Sequence, residues 1–377
     1  MNDLKLRASW GITGNQNIGN YASRSLYSGN SNYLGMAGFI PNVLGDRDLK
    51  WETTRQWNAG IDAGFLNNRI SLLADYYYKK TSDLLIGLPI LTSSGYINRF
   101  TNSGDIENKG FEFELTTKNL VGEFKWTTSL NMTFNRNKVL ALPEGLNEMR
   151  GGVGDLNRAI VGQPLGVFYG WQANGVNPQT GMIDYLGQDG SAVSPTDYKD
   201  QRMIGDPNPS FFGGITNNFA YKNFDLSIQG QFTYGNDIFN YNLASGLEGF
   251  NPSSNQFVDF VDRWRAPGDI TDVPRPAPGD LSNGAVSSRF VEDGSFFRLR
   301  NITLGYTLPA TVAEKIKMKK LRWYFTVQNA YVFTKYRGYD PEVSSSHGGA
   351  NTGLIYGYDY GSYPQPRIFT TGINMTF

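Results

Sequence analysis

Ser344-Ser345-Ser346-His347-Gly348-Gly349 sets a histidine beside three hydroxyls, the neighbourhood from which a nucleophilic serine would draw its base. A working triad also needs an orienting carboxylate and an oxyanion hole, and no motif signals either, so the stretch reads as a Gly/Ser loop tip. His347 is the single histidine of 377 residues, which removes histidine-clustered metal sites. Cysteine is absent, and with it go disulfides, zinc-thiolate sites and thiol nucleophiles. Asp46-Arg47-Asp48 reads as a solvated charge cluster. No catalytic, cofactor-binding or metal-binding residue is therefore assigned. What remains is a set of rings, Phe168-Tyr169-Gly170-Trp171 and Tyr356-Gly357-Tyr358-Asp359-Tyr360. Exposed rings stack on sugar faces or apolar peptide side chains, whereas buried ones pack loops together. Phe168, Tyr169, Trp171, Tyr356, Tyr358 and Tyr360 are candidates for ligand or partner contact, with loop packing as the alternative.

The elements that would carry these loops are strands. The chain holds 44 Gly, 22 Tyr, 24 Phe and 7 Trp, with aromatics at 14% and charged residues at only 18%. That balance favours strands and turns over surface helices. Only Thr311–Lys320 is helix-permissive. Lys plus Arg and Asp plus Glu both number 34, which argues against a nucleic-acid partner. No apolar run approaches the roughly 18 residues of a transmembrane helix, and Met1-Asn2-Asp3-Leu4-Lys5 lacks the apolar core of a signal peptide.

Period-two patterning marks about ten segments of the length a tilted membrane strand requires. In 224–234, Phe224, Leu226, Ile228, Gly230, Phe232 and Tyr234 share one face against Asp225, Ser227, Gln229, Gln231 and Thr233. The stretches 124–134, 320–332 and 366–377 alternate in the same way, and weaker versions occur at 4–13, 54–66, 69–80, 107–118, 211–221 and 295–307. In the last of these the apolar phase slips between Leu299 and Ile302, which predicts a bulge or a displaced boundary. Half-buried sheets of soluble proteins alternate too. Here the polar face carries Gln, Asn, Thr, Lys and Glu in strand after strand while the apolar face ends in aromatics, as in a barrel with a polar lumen and aromatic girdles.

The connections alternate long and short throughout. Short ones fall near 66–69, 119–121, 221–223 and 308–319, and long ones at 14–53, 81–106, 137–210, 236–294 and 333–365. Long loops confined to one end are the habit of outer-membrane barrels and are uncommon in soluble β-domains.

Particular stretches then resemble the barrel region of SusC/RagA-type TonB-linked outer-membrane proteins, the nutrient importers of Bacteroidetes. They are Leu6-Arg7-Ala8-Ser9-Trp10-Gly11, Thr13-Gly14-Asn15-Gln16, Leu49-Lys50-Trp51-Glu52 and Gly104-Asp105-Ile106-Glu107-Asn108-Lys109-Gly110-Phe111-Glu112. Gly205-Asp206-Pro207-Asn208-Pro209, Arg263-Trp264 and Pro267-Gly268 follow. Asp293-Gly294-Ser295-Phe296-Phe297-Arg298-Leu299-Arg300-Asn301, Gly338-Tyr339-Asp340-Pro341-Glu342 and Tyr363-Pro364-Gln365-Pro366-Arg367 complete the series in the family's order. By residue chemistry, 104–110 is a tight approach into a strand in which Asn108 tolerates a left-handed conformation, and 205–209 is turn chemistry ahead of a strand. Gly338–Glu342 is open to a loop-packing role or to contact with a ligand or partner.

The resemblance implies an all-β fold: an antiparallel transmembrane β-barrel in which about ten strands here belong to a larger one of around 22. Residues 1–377 are then expected to be the C-terminal part of the barrel, with signal peptide, TonB segment and plug domain absent. It further implies import of oligosaccharides or peptides through the outer membrane, with a SusD-like surface lipoprotein as lid, TonB acting through the missing N-terminal part, and outer-membrane lipid around the wall. A soluble, secreted β-protein that binds glycans through its loop rings is the alternative. Relatives carry an acidic, calcium-loop-like stretch ahead of the 205–209 turn. The matching region here, Tyr185-Leu186-Gly187-Gln188-Asp189-Gly190-Ser191 with Asp197 and Asp200, puts Gly187 and Tyr185 where oxygen ligands are wanted, so no calcium is expected. The aromatic chain end implies an assembly signal at Phe377. With that end in the periplasm, parity places every long loop outside. The strands 4–13 and 366–377 are expected to be open edges.

Overall fold

The computed structural model describes residues 2–96, 98–143, 145–247, 255–277, 283–343 and 352–377. The alternating segments form one ten-stranded sheet. Its strands are β1 (Asp3–Asn15), β2 (Glu52–Phe65), β3 (Ile70–Ser82), β4 (Asp105–Val121), β5 (Phe124–Ala141), β6 (Phe211–Tyr221), β7 (Phe224–Tyr234), β8 (Phe296–Thr307), β9 (Lys320–Thr334) and β10 (Ile368–Thr376). Each strand pairs antiparallel with its neighbours in chain order, a pure meander. Among the described residues β1 pairs only with β2 and β10 only with β9, so the wall has two open edges.

Because successive side chains point to opposite faces, one register decides both surfaces of the wall. Leu6 opposes Ile61, and the line runs on through Ala74, Phe113, Met132, Gly213 and Phe232 to Phe297. One residue away the line reads Lys5, Asp62, Leu73, Glu114, Asn131, Gly214, Gln231 and Arg298. Polar partners on that face are satisfied across strands. Arg7 Nε donates to Asp62 Oδ1 at 2.9 Å and its Nη2 to Asp75 Oδ2 at 2.8 Å. The Tyr77 hydroxyl donates to Asn135 Oδ1 at 2.7 Å. The opposite face leaves Leu6 73% and Phe369 63% exposed, and Trp10, Trp57, Phe111, Phe224 and Ile373 lie open beside them. A continuous apolar face of this size belongs against hydrocarbon, and it counts against the soluble alternative.

Turn chemistry closes one end tightly. Leu66, Asn67 and Asn68 all take left-handed φ between β2 and β3, and Lys222 does so in the two-residue turn between β6 and β7. The β4–β5 turn sits at Gly122-Glu123, later than the 119–121 expected, because β4 runs on to Val121. The phase slip in 295–307 is a bulge: Gln229 opposes Asn301 and Gly230 opposes Leu299, leaving Arg300 unpaired. Asn108 is corrected. It lies inside β4 opposite Lys79 and Asn137 and is not left-handed. Gly104 does take φ +91, whereas Gly110 serves close approach, since a Cβ there would collide with the Phe134 carbonyl oxygen.

The opposite end is far more ordered than loops read from sequence would be. Leu26–Tyr33, Met36–Leu44, Leu85–Pro89 and Asn98–Asn102 build a four-stranded sheet. Leu85 opposes Asn102 in the same register in which Ser82 opposes Asp105, so the β3–β4 ladder continues into this sheet. A second four-stranded and two three-stranded sheets occupy the later loops, and a short helix, Tyr241–Leu247, was not expected. The expected helix spans Ala310–Lys315. The core lies in this loop layer: Leu156, Phe168, Phe239, Leu243, Phe290 and Tyr358 form one buried cluster, and Trp171, Ile183 and Tyr185 another. A wall with lipid on one face and water on the other has no interior of its own.

Candidate functional site

The loop layer is where side chains from distant segments converge, and family-like motifs turn out to bind one another. Asp206 Oδ1 accepts from the Asn208 backbone N–H at 2.9 Å, the local bond expected of an Asx turn. The same turn is tied outward: Asp237 Oδ2 accepts from the Asp206 N–H at 2.8 Å, and Asn208 Nδ2 donates to the Leu165 carbonyl at 3.0 Å. Tyr356 caps it, its hydroxyl donating to Asn208 Oδ1 at 3.0 Å and contacting the Leu165 carbonyl. Burial pushes the Tyr356 phenol above its ordinary range and raises the Asp237 carboxyl.

Arg298 and Arg300, flanking Leu299 at the bulge, receive the 338–342 segment. Arg298 Nε lies 2.8 Å from Glu342 Oε2, and its Nη2 pairs with Asp340; Arg300 pairs with the other Glu342 oxygen. Asp340 Oδ1 also accepts from the Glu342 N–H at 2.9 Å, and its Oδ2 from the Gln365 N–H at 3.0 Å. The 338–342 motif is therefore a latch onto β8, which is the loop-packing role. Tyr336, whose hydroxyl donates to Asp359, is raised by burial first and by that carboxylate second.

All six candidate rings make packing contacts in the structure, and five of them are buried or half-buried. Phe168 and Tyr358 are fully buried and Trp171 nearly so. Tyr358 stacks on Phe239 with centroids 6.1 Å apart, and Trp171 meets Tyr198 at 6.0 Å. The half-buried Tyr169 is covered by the Arg158 guanidinium at 4.7 Å, and Tyr356 holds the turn described above. Tyr360, 54% exposed and tilted against Tyr241 at 5.2 Å, is the ring left open to solvent.

Asp189 Oδ1 accepts from the Ser191 N–H at 2.9 Å and its hydroxyl at 2.6 Å, and these bonds lower the Asp189 carboxyl. Asp200 Oδ1 accepts from the Gln188 N–H at 3.3 Å and Asp197 Oδ1 from the Lys199 N–H at 3.0 Å. The acidic groups of that stretch thus serve turns, and no three metal-ligating side chains converge among the described residues. Ser344, Ser345, Ser346 and His347 lie outside the described residues. Sequence reasoning missed a cleft of about 590 Å³ lined by Asp259, Asp262, Asp272, Ser288, Arg289 and Arg337, among others. Its charges are dispersed over four loop segments, so no local pattern announces them.

A family profile described as TonB dependent receptor-like, beta-barrel matches residues 1–330. TonB-dependent receptor P3 of Formosa agariphila is 36% identical over 401 residues, covering 99% of this chain and 39% of that protein. TonB-dependent receptor SusC of Bacteroides thetaiotaomicron is 32% identical over 406 residues, covering 100% of this chain and 38% of that protein. Among solved structures, the RagAB peptide transporter superposes with a TM-score of 0.86 at 26% identity, covering 100% of this chain and 41% of the matched chain. The chain spans about two fifths of the length of these relatives.

Proposed function

Because this chain belongs to the TonB-dependent receptor-like β-barrel family, we propose that it forms a loop-bearing part of the barrel of an outer-membrane importer of oligosaccharides or peptides. The observation that carries this reading is the ten-stranded meander, with its apolar face exposed, two edges unpaired among the described residues and one structured end. Unpaired edges of this length are unstable in isolation, so further strands of a larger barrel complete them. The wall separates lipid from a polar lumen, and the layered loops present a shaped surface where cargo enters. A SusD-like surface lipoprotein covers that surface, and TonB acts through a part of the protein outside these residues. Tyr360, the most exposed of the candidate rings, would be the one to meet a ligand or the lid.

Uptake decides the matter. Cells carrying the complete protein should accumulate a labelled oligosaccharide or peptide cargo, and accumulation should fall to background when either this protein or TonB is removed. Uptake indifferent to TonB would refute energised import.

A further inference from the structure

Among the described residues, the connection between β8 and β9 is the one tight-end turn that carries a helix, Ala310–Lys315. Pro309 starts it, its carbonyl accepting from the N–H groups of Val312 and Ala313, and Lys317 ends it by taking φ +58. Ala313 is fully buried where the helix meets β9. Val312 and Ile316, four residues apart and so on one side of the turn, are instead 44% and 48% exposed. Lys315 falls on that side too, whereas Glu314, the single carboxylate of the connection, lies on the other.

The wall says what meets that apolar pair. One register line crosses β5 to β9 through Phe124, Tyr221, Phe224, Tyr306 and Trp323, all on the apolar face. A belt of rings of this kind marks the level where hydrocarbon gives way to lipid headgroups. The Lys319 N–H still pairs with the Thr376 carbonyl at 2.8 Å, so Lys319 continues the alternation of Leu321 and Trp323 just past the belt. Lys320 shares instead the alternation of Arg322, which pairs with Asp225 on the lumen face, and is set aside. Lys315, Lys317 and Lys319 are exposed and make no ion pair among the described residues. The opposite end has the reverse balance. There 236–294 carries nine carboxylates against four arginines, so an anionic surface is matched at this rim and repelled at that loop.

We propose that the helix Ala310–Lys315 lies in the membrane–water interface, with Val312 and Ile316 in the acyl boundary and Lys315, Lys317 and Lys319 on the headgroup phosphates of anionic phospholipid. An apolar pair beside cations is the arrangement by which short interfacial segments hold to a leaflet. An acidic protein would satisfy the lysines, but it would have to displace lipid from a rim that the ring belt places at the bilayer surface. This goes beyond the import reading and rests only on its membrane-spanning wall.

The test uses the complete protein in phosphatidylcholine vesicles, with a bimane on Thr311→Cys beside the apolar pair. Phosphatidylglycerol or phosphatidylcholine carrying a nitroxide near the glycerol is added at equal small fraction. At low salt the anionic probe should quench the label as though enriched at least about fivefold, the worth of one lysine near an anionic surface. That preference should fall to near one in the triple variant Lys315→Gln, Lys317→Gln, Lys319→Gln. It should persist in Lys315→Arg, Lys317→Arg, Lys319→Arg and shrink at about 1 M salt. Val312→Ser with Ile316→Ser should weaken quenching by both probes. A preference unchanged in the glutamine variant, or equal quenching by the two probes in the parent, would overturn the proposal. A second label at Ile228→Cys, midway along the apolar face of β7, keeps the two readings apart. Quenching there by a mid-chain nitroxide, with no anionic preference at Thr311, sinks the rim assignment alone. No quenching at Ile228 sinks the membrane wall with it.

Discussion

Arg298→Ala should release the 338–342 latch from the wall at a cost of about 3–5 kcal/mol, the penalty for stripping the partner from a buried ion pair. Arg298 and Asp340 side chains are only 4% and 5% exposed, so no water replaces the lost guanidinium. Asp340 and Glu342 would face each other with Arg300 alone to neutralise them. Asp340 also fixes the chain at Gln365, which leads into β10, so the change should travel to the wall's last strand. Limited proteolysis of the complete protein reads this directly, with new cleavage expected between 335 and 343. Protection equal to the parent would mean that the latch is ornamental and that the 338–342 segment is held elsewhere.

Two adjacent positions give a second large effect with its own control. Ile228 lies near the middle of β7 on the apolar face, and Gln229 points to the lumen. Ile228→Arg should destabilise the folded barrel by about 2–4 kcal/mol, the cost of an arginine at the bilayer midplane. Gln229→Arg should stay within about 0.5 kcal/mol, since water already reaches that face. Folding titrations in lipid vesicles separate the two. Equal costs would show that the wall does not divide lipid from water, whatever its strand order.

The wall was legible because alternation is a local code. β6 and β7 fall at 211–221 and 224–234, as expected, since alternating runs flank a two-residue turn and leave no freedom in the boundaries. The slipped phase at Leu299–Ile302 reported a real bulge for the same reason. The loop layer was not legible. Its strands are short, and their partners lie far along the chain: Phe239 pairs in parallel with Tyr358 across the intervening β8 and β9. Period-two reading cannot find a strand of four residues. The helix Tyr241–Leu247 is too short to show helical periodicity, and only the Leu243 N–H donating to Asn240 Oδ1 at 2.9 Å marks its start. Ring identity in Phe168-Tyr169-Gly170-Trp171 likewise says nothing of burial, which here depends on Phe239, Phe290 and the 356–360 stretch closing over it.

The measurement that bears most directly on the account is surface labelling of the complete protein in intact cells. An epitope tag inserted within 236–294 should be accessible without permeabilisation, since the proposed importer would turn its structured loop layer to the cell exterior. A tag at 221–223, in the tight turn joining β6 to β7, should stay hidden until the outer membrane is breached. Labelling at 221–223 on intact cells, with 236–294 protected, would contradict the account and invert the wall.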